Sequence, residues 1–205
     1  MFMKRLALLN DEQKYYLEIS EALEQLIFNN DGSKIINLEL PKGSFYSGTV
    51  YRKLTFDYLF IDDLESEVDD NGWFVTKKQI EDKANRMIIT NSWQSTTNNL
   101  EACKKFNAQS RTMEDPVNLI ISFETSNGID INYLLNHVYK YVSKQIYKHA
   151  KFEEAEKMLS NLIKSFGKEE EIYTMVPSSY DLLYVNDISL IELEPDQKIY
   201  IEDIF

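Results

Sequence analysis

The chain has 205 residues, with 34 acidic against 22 basic side chains and a formal net charge of −12. A surface this acidic repels the phosphate backbone that Lys and Arg normally hold, so direct nucleic-acid binding is not expected. The 43% hydrophobic share, with 13 Tyr, 11 Phe and 2 Trp, excludes a wholly disordered chain and is enough for a core that needs no disulfide or metal.

The cysteine content and the N-terminal sequence bear on the compartment. Cys103 is the only cysteine, so no intramolecular disulfide can form and a reducing compartment is the natural setting. The apolar run before Asn10 is shorter than the core of a signal peptide, about 7–15 residues. No stretch approaches the roughly 20 apolar residues of a membrane span. We therefore expect a cytoplasmic protein, in the host cytoplasm if a phage encodes it.

The first third of the chain predicts one helix and two strands. Asn10 can cap a helix over 11–28, in which apolar residues recur at helical spacing. Alternating apolar residues predict a strand over 34–40. Aromatic and β-branched residues at mostly period-two spacing predict a further strand over 49–61.

The next segment predicts a hairpin and a helix. Asn71-Gly72 is a strong turn signal, because both central positions of a tight turn need positive φ, and residues 73–75 look like a returning strand. Thr76, followed three residues later by Gln79, forms a capping-box pattern at the start of a helix that ends near residue 88.

The middle of the chain predicts a weaker helix over 95–108, a loop over 110–116 and a buried strand over 117–123. Ser126-Asn127-Gly128 is expected to turn the chain out of that strand. Asp130 can then cap a helix that runs to about residue 149.

A second helix over 152–166 makes a helical hairpin with the one before it. The spacing in this hairpin is similar to that of one tetratricopeptide repeat, through Tyr139, Val142, Ser143, Ile146, Ala150, Phe152, Ala155 and Leu159. Arrays of this kind need about three repeats, and no second copy is visible, so the likeness indicates helix packing and implies no peptide-binding function.

After the helical hairpin the pattern becomes strand-like again, over 172–176, 182–185, 188–193 and 199–201. The predicted fold is therefore α+β, with mixed or antiparallel sheet elements and about five helices, including a helical hairpin at roughly 130–166. We expect one globular domain over residues 1–205, with a subdomain boundary near 110–116.

Acidic residues concentrate in two regions. The first contains no basic residue and comprises Asp57, Asp62, Asp63, Glu65, Glu67, Asp69 and Asp70. The second begins at Glu169, Glu170 and Glu171 and continues with further acids towards the C-terminus. A row of carboxylates can meet Lys and Arg side chains that normally hold phosphates, and such mimicry needs only surface charge on a rigid support.

The same acids do not predict a metal site. Glu67, Asp69, Asn71 and Gly72 match the first positions of a hand-type calcium loop, but position twelve is Lys78 instead of a bidentate carboxylate. The two histidines, His137 and His149, lie twelve residues apart on one predicted helix and point in different directions. No metal or cofactor is therefore expected.

Catalytic patterns are also missing. There is no Ser in a Gly-flanked elbow, no His-Glu-x-x-His and no Gly-rich phosphate loop. A lysine stripe at Lys140, Lys144, Lys148 and Lys151 is typical of the solvated face of an amphipathic helix, and alternatively indicates a basic patch.

The sequence thus favours an acidic, non-enzymatic binding protein over an enzyme. Its low Gly and Pro and high Asn, Lys, Ile and Tyr content resembles that of small proteins of bacteriophages and mobile elements from AT-rich Gram-positive hosts. We expect an inhibitor or adaptor that docks on a basic surface of a host nucleic-acid machine, such as RNA polymerase, its sigma factor or a CRISPR-type effector. The alternatives are a structural component of a virion or other multimer and a small enzyme of unfamiliar type.

Overall fold

The computed structural model describes residues 8–106, 115–166 and 170–205. Within these ranges the fold is α+β, with antiparallel strand pairs, as predicted. The helices are α1 Asp11–Asn29, α2 Leu59–Asp62, α3 Lys77–Met87, α4 Leu100–Lys105, α5 Ile131–Val142, α6 Ala150–Phe166 and α7 Ile201–Ile204. The strands are β1 Phe45–Phe56, β2 Glu67–Asp69, β3 Gly72–Thr76, β4 Trp93–Thr97, β5 Val117–Asp130, β6 Glu171–Met175, β7 Asp181–Val185, β8 Ile188–Ser189 and β9 Lys198–Tyr200.

The described residues divide into two compact units, each built from separate stretches of the chain. The first contains 8–48, 92–95, 125–166 and 170–175; the second contains 49–91, 96–106, 115–124 and 176–205. The described residues on either side of the boundary predicted near 110–116 lie in the same unit, and residues 107–114 lie outside the described part of the chain.

The first unit is a three-helix core on a strand pair. Helix α1 packs on α5 and α6, and their apolar stripes interlock with side chains that are fully or almost fully buried, among them Leu23, Leu26, Leu134, Val138, Phe152 and Leu159. Strand β6 pairs antiparallel with the C-terminal part of β5, through Ile129 opposite Tyr173. The predicted helical hairpin is confirmed, although α5 ends at Val142, several residues before the predicted end.

The second unit contains a small three-stranded sheet in the order β2-β3-β9, together with antiparallel pairs of β1 with β4 and of β7 with both β5 and β8. Its core side chains come from the strands, from α2 and from the inner face of α3, and include Val50, Phe60, Val75, Ile80, Leu119, Ile121, Val185 and Ile199. Helix α2, the segment that follows it and the β2–β3 hairpin carry most of the acids of the first acidic region.

Local capping signals predict the helix starts correctly. Asn10 and Gln13 form the two hydrogen bonds of a capping box at α1, and Thr76 and Gln79 form the same box at α3. At α5 the Asp130 side chain accepts a hydrogen bond from the backbone N–H of Tyr133 at 2.8 Å. Each bond satisfies a backbone donor that has no partner within its helix.

The predicted hairpin is confirmed, but its turn lies one residue earlier than expected. Asp69 pairs with Gly72, so the two central residues are Asp70 and Asn71. Of the Asn71-Gly72 dipeptide, Gly72 has positive φ, at 125°, and Asn71 does not. The dipeptide therefore marks the hairpin correctly, while glycine alone supplies the left-handed conformation.

Two predicted strands are wrong in whole or in part. Residues 34–40 contain a short 3-10 helix, Ile35–Asn37, because hydrogen bonds from Ser33 to Asp31 and from Ile36 to Gly32 close local turns there. The strand predicted over 49–61 ends at Phe56, and the chain then forms α2. Apolar residues alternate with polar ones in both segments, but residues 34–40 and 57–61 form local turns in place of strand hydrogen bonds.

The middle segment needs two further corrections. The helix predicted over 95–108 is strand β4 followed by the short helix α4, which Asn99 caps. Strand β5 does not turn at residues 126–128 but continues to Asp130. Gly128 is extended there, and a Cβ atom at this position would lie 2.6 Å from a side-chain carbon of Ile172 on β6. This glycine therefore permits close strand packing and does not form a turn.

Candidate functional site

The strongest candidate site is the first acidic region, which lies entirely in the second unit. We call the six carboxylates of Asp62, Asp63, Glu65, Glu67, Asp69 and Asp70 the acidic surface. Asp62 ends α2, Asp63 and Glu65 follow in the connecting segment, Glu67 and Asp69 lie on β2, and Asp70 lies in the hairpin turn. All are exposed except Asp69, which is partly buried.

Buried side chains anchor the backbone beneath these acids. Phe60, Ile61 and Leu64 are 1%, 1% and 8% exposed, so the connecting segment is held by its apolar residues while the acids between and beside them face solvent. Phe74 and Val75 hold β3 in the same way. The carboxylates therefore project from a fixed support.

Two side chains of helix α3 also hold the connecting segment that follows α2. The Gln79 side-chain amide donates a hydrogen bond to the backbone carbonyl of Glu65 at 2.6 Å. One turn further along the helix, Lys83 pairs with Asp63 at 2.8 Å and lies above the Phe60 ring. The side chain of Lys83 is 12% exposed, so this mostly buried lysine links α3 to the connecting segment after α2.

Asp69 is also neutralised by a lysine that is distant in sequence. Lys198 on β9 pairs with it at 2.6 Å, and Asp69 further accepts hydrogen bonds from the Asn71 backbone N–H and the Tyr200 hydroxyl. The hydrogen bond from Lys198 is the main cause that lowers the pKa of Asp69, and Asp69 raises the pKa of Lys198 in return. Lys198 also lies 4.1 Å from the centre of the Phe74 ring.

The acidic surface thus has two kinds of member. Asp63 and Asp69 form ion pairs with lysines that lie outside the acidic run, Lys83 on α3 and Lys198 on β9. Around Asp62, Glu65, Glu67 and Asp70, no lysine or arginine nitrogen of the described residues lies within 4.0 Å. These four exposed carboxylates form no ion pair with the described residues, although Glu67, in addition to Asp69, is close enough to Lys198 to raise its pKa.

The start of the second predicted acidic region is only partly exposed. Glu169 lies outside the described residues, and Glu170 is exposed. Glu171 is 5% exposed and accepts a hydrogen bond from the Ser95 hydroxyl on the neighbouring strand. Its inclusion in an exposed contact surface is therefore wrong, because β6 turns this side chain into the protein.

The lysines predicted to form a stripe and the two histidines do not come together in one site. Lys140 lies on α5, whereas Lys144 and Lys148 lie in the turns after it, so they do not form one helical stripe. His137 contacts the Tyr16 hydroxyl at 3.2 Å, and His149 accepts a hydrogen bond from the backbone N–H of Lys151. Among the described residues no three His, Cys, Asp or Glu side chains are grouped so that they could hold a metal ion.

In two polar pockets of the second unit, the lysine side chains bond to carbonyl or carboxylate groups of the protein itself. In one, of about 390 Å³, Lys77 bonds the backbone carbonyl of Leu193 and lies 3.7 Å from Glu81. Burial raises the pKa of Tyr180 in the same pocket, so its hydroxyl stays neutral and is a poor base or nucleophile. In the other, of about 280 Å³, Lys53 bonds the carbonyl of Lys104. Neither arrangement pairs a nucleophile with a base.

Cys103 has the environment of a core residue. It is 3% exposed, and burial raises the pKa of its thiol to about 11, although Lys53 and Arg52 act in the opposite direction. A thiol with such a pKa holds almost no thiolate near neutral pH.

No protein-family model, curated protein or solved structure matches this chain. In the part of the chain that the structure describes, every helix is too short or too polar to cross a lipid bilayer.

Proposed function

We propose that this chain is an acidic, non-enzymatic binding protein of the cytoplasm whose acidic surface docks on a basic surface of a larger nucleic-acid machine. One observation carries the proposal. Asp62, Glu65, Glu67 and Asp70 are exposed, have no described cation within 4.0 Å, and project from a backbone that is anchored by buried side chains.

Electrostatic complementarity gives such a surface its effect. Unpaired carboxylates on a chain of net charge −12 attract a basic partner over several ångströms and speed the encounter. The anchored backbone reduces the entropy that would be lost if these side chains were ordered only on binding. The ion pairs of Asp63 and Asp69 contribute to the support, and the four other acids contribute the contact.

The partner in this proposal is a protein surface that normally holds a phosphate backbone, because a row of carboxylates presents similar charge to Lys and Arg. RNA polymerase, its sigma factor and CRISPR-type effectors carry surfaces of this kind. A phage or mobile-element inhibitor or adaptor is the corresponding biological role, and the composition of the chain supports it. An acidic chain in this role needs no cofactor and no direct nucleic-acid contact.

Affinity purification with charge variants tests the proposal. The test variant carries Asp62→Asn, Glu65→Gln, Glu67→Gln and Asp70→Asn, which remove four negative charges and take the formal net charge from −12 to −8. The control carries the same number of neutralisations at exposed acids of the other unit, Glu18→Gln, Glu24→Gln, Glu39→Gln and Glu154→Gln. Each variant is used as bait in host lysate at moderate salt.

The proposal expects a stoichiometric partner with wild type and control, and a loss of at least tenfold in recovered partner with the test variant. Equal recovery by test and control variants would contradict the role of the acidic surface. A large homo-oligomer in light scattering, with no co-purifying protein, would instead favour a structural component of a multimer.

A further inference from the structure

An exposed apolar pair lies beside the acidic surface. Val68 on β2 and Trp73 on β3 are directly opposite each other in the hairpin, and are 61% and 58% exposed. Directly opposed residues of an antiparallel pair point to the same face of the sheet, so these two side chains form one patch. A tryptophan with more than half of its surface in water leaves a large apolar area uncovered.

The patch continues a face that is buried further along the same sheet. Trp73 and Val75 are two residues apart on β3 and therefore share a face. Val75 and its neighbour Ile199 on β9 are 0% and 4% exposed, so the inner end of this face is core. At Val68 and Trp73 the face extends beyond the core into solvent.

An unpaired carboxylate lies at the end of the patch. Asp70 is in the turn between the two strands, and among the described residues it has no basic nitrogen within 4.0 Å. Glu67 is directly opposite Phe74, so its side chain lies on the other face of the sheet, together with that of Asp69. An apolar centre with charged neighbours is the usual arrangement of a protein-binding hot spot, and tryptophan is among the residues most enriched there.

The charges also decide between a second copy and a different protein. Strand β2 is an edge strand of its sheet, and pairing of two such edges would bring the unpaired Glu67 of one copy close to the acidic edge of the other, where Lys198 neutralises only Asp69. Like charges opposite each other destabilise a strand pair, and charged edge strands discourage self-association. A partner that supplies Lys or Arg around an apolar slot has the complementary chemistry.

We propose that Trp73 and Val68 are the apolar anchor of the contact, and that they enter an apolar slot bordered by Lys or Arg on a protein partner. This inference rests on the proposed function, since it names the chemistry of the partner surface that the acids meet. The acids guide the encounter and select a basic surface, and the tryptophan supplies most of the affinity once the slot is filled.

Two synthetic peptides of equal charge serve as probes. One is a 12-residue peptide that alternates Lys and Val, and the other alternates Lys and Ser. Binding of each labelled peptide is measured by fluorescence anisotropy with wild type, Trp73→Ala, Trp73→Phe and Phe28→Ala. Phe28 is a matched control because it is 63% exposed and lies in the first unit. Circular dichroism and the urea midpoint show that each variant is folded.

If Trp73 is the apolar anchor, Trp73→Ala weakens the affinity for the Lys–Val peptide about 30-fold, the effect of a typical hot spot. The affinity for the Lys–Ser peptide stays unchanged. Trp73→Phe retains most of the affinity, and Phe28→Ala has no effect. The inference is overturned if Trp73→Ala binds the Lys–Val peptide as wild type does, or loses both peptides equally. A Trp73-dependent homodimer in light scattering would overturn it as well.

The proposed function fails in a different way. If neutralisation of Asp62, Glu65, Glu67 and Asp70 leaves binding of the Lys–Ser peptide unchanged, then the acidic surface does not select basic partners. If that neutralisation weakens binding while Trp73→Ala does not, then the acidic contact stands and the apolar anchor is wrong.

Discussion

Gln79 allows a direct test of whether the acidic surface is held in place by the fold. Its side-chain oxygen accepts hydrogen bonds from the Thr76 backbone N–H at 2.7 Å and from the Thr76 hydroxyl at 3.0 Å. Its side-chain N–H group donates to the Glu65 carbonyl at 2.6 Å. Gln79→Ala removes all three bonds, two at the start of α3 and one that tethers the acidic segment.

The capping box of α1 provides a matched control. There the Gln13 side chain accepts one hydrogen bond, from the Asn10 backbone N–H at 3.0 Å, and tethers no loop. A typical hydrogen bond contributes about 1 kcal/mol net to stability. We therefore expect Gln79→Ala to cost about 2–3 kcal/mol of unfolding free energy, whereas Gln13→Ala costs about 1 kcal/mol.

Gln79→Glu separates the tether from the cap. A glutamate keeps the oxygen that accepts from Thr76 but has no N–H group to donate to the Glu65 carbonyl. Its negative charge in the first turn of α3 is favourable by about 0.3–1 kcal/mol, but its carboxylate oxygen is repelled by the Glu65 carbonyl oxygen that the amide contacts at 2.6 Å. We expect a stability between those of wild type and Gln79→Ala, and faster amide exchange over residues 62–66.

Urea unfolding followed by circular dichroism gives the free energies, and hydrogen exchange with mass spectrometry gives the local effect. Equal costs for Gln79→Ala and Gln13→Ala, together with unchanged exchange over residues 62–66 in both Gln79 variants, would refute the idea that α3 holds the acidic segment.

Three further predictions concern single residues. The hydrogen bond from Lys198 and the other partners of Asp69 lower its pKa from the ordinary value of 3.8, so the stability that Asp69 contributes is complete above pH 3.8 and is lost as the pH falls through the lower pKa of the folded state. Asp69→Asn should therefore reduce the loss of unfolding free energy below about pH 4. An unchanged loss would contradict the ion pair with Lys198. Since burial raises the pKa of Cys103 to about 11, its reaction with a thiol reagent at pH 8 should follow the unfolded fraction in urea; rapid labelling of the native protein would show that the thiol is accessible. Gly128→Ala should cost about 2–3 kcal/mol in thermal unfolding, because its Cβ would lie 2.6 Å from a β6 side chain. Gly72→Ala has no atom within 4 Å of the added carbon and should cost only the strain of its positive φ, about 1 kcal/mol. Equal costs for the two variants would contradict the tight packing at Gly128.

The sequence predicts those elements whose signals are local. The capping residues of α1, α3 and α5 bond to backbone groups three residues away, so their pattern is complete within a short window. The β2–β3 hairpin is similar, because its turn residues determine the pairing.

Elements that depend on distant neighbours are mispredicted. Ser126-Asn127-Gly128 looks like a turn, but β6 arrives from more than 40 residues away and keeps the segment extended as part of β5. Residues 34–40 alternate like a strand, but no strand forms there, and the backbone instead closes local turns around Ile35–Asn37. A strand needs a partner as well as a pattern.

The candidate site shows the same division. The run of acids from Asp62 to Asp70 is visible in the sequence, and the structure places it on α2, in the segment that follows and in the β2–β3 hairpin. The lysines that neutralise two of its members, Lys83 and Lys198, come from an adjacent helix and from β9. Only the fold shows which carboxylates remain unpaired. Exposure of Trp73 is equally a property of the sheet, since its neighbour Phe74 is buried.

Competition with nucleic acid tests the central claim most directly. The partner recovered by affinity purification is bound to a labelled nucleic acid that it normally holds, and this chain is then titrated in. The account predicts that wild type displaces the nucleic acid, and that neutralisation of Asp62, Glu65, Glu67 and Asp70 raises the concentration needed at least tenfold. Displacement that is equally strong with the neutralised variant would contradict it.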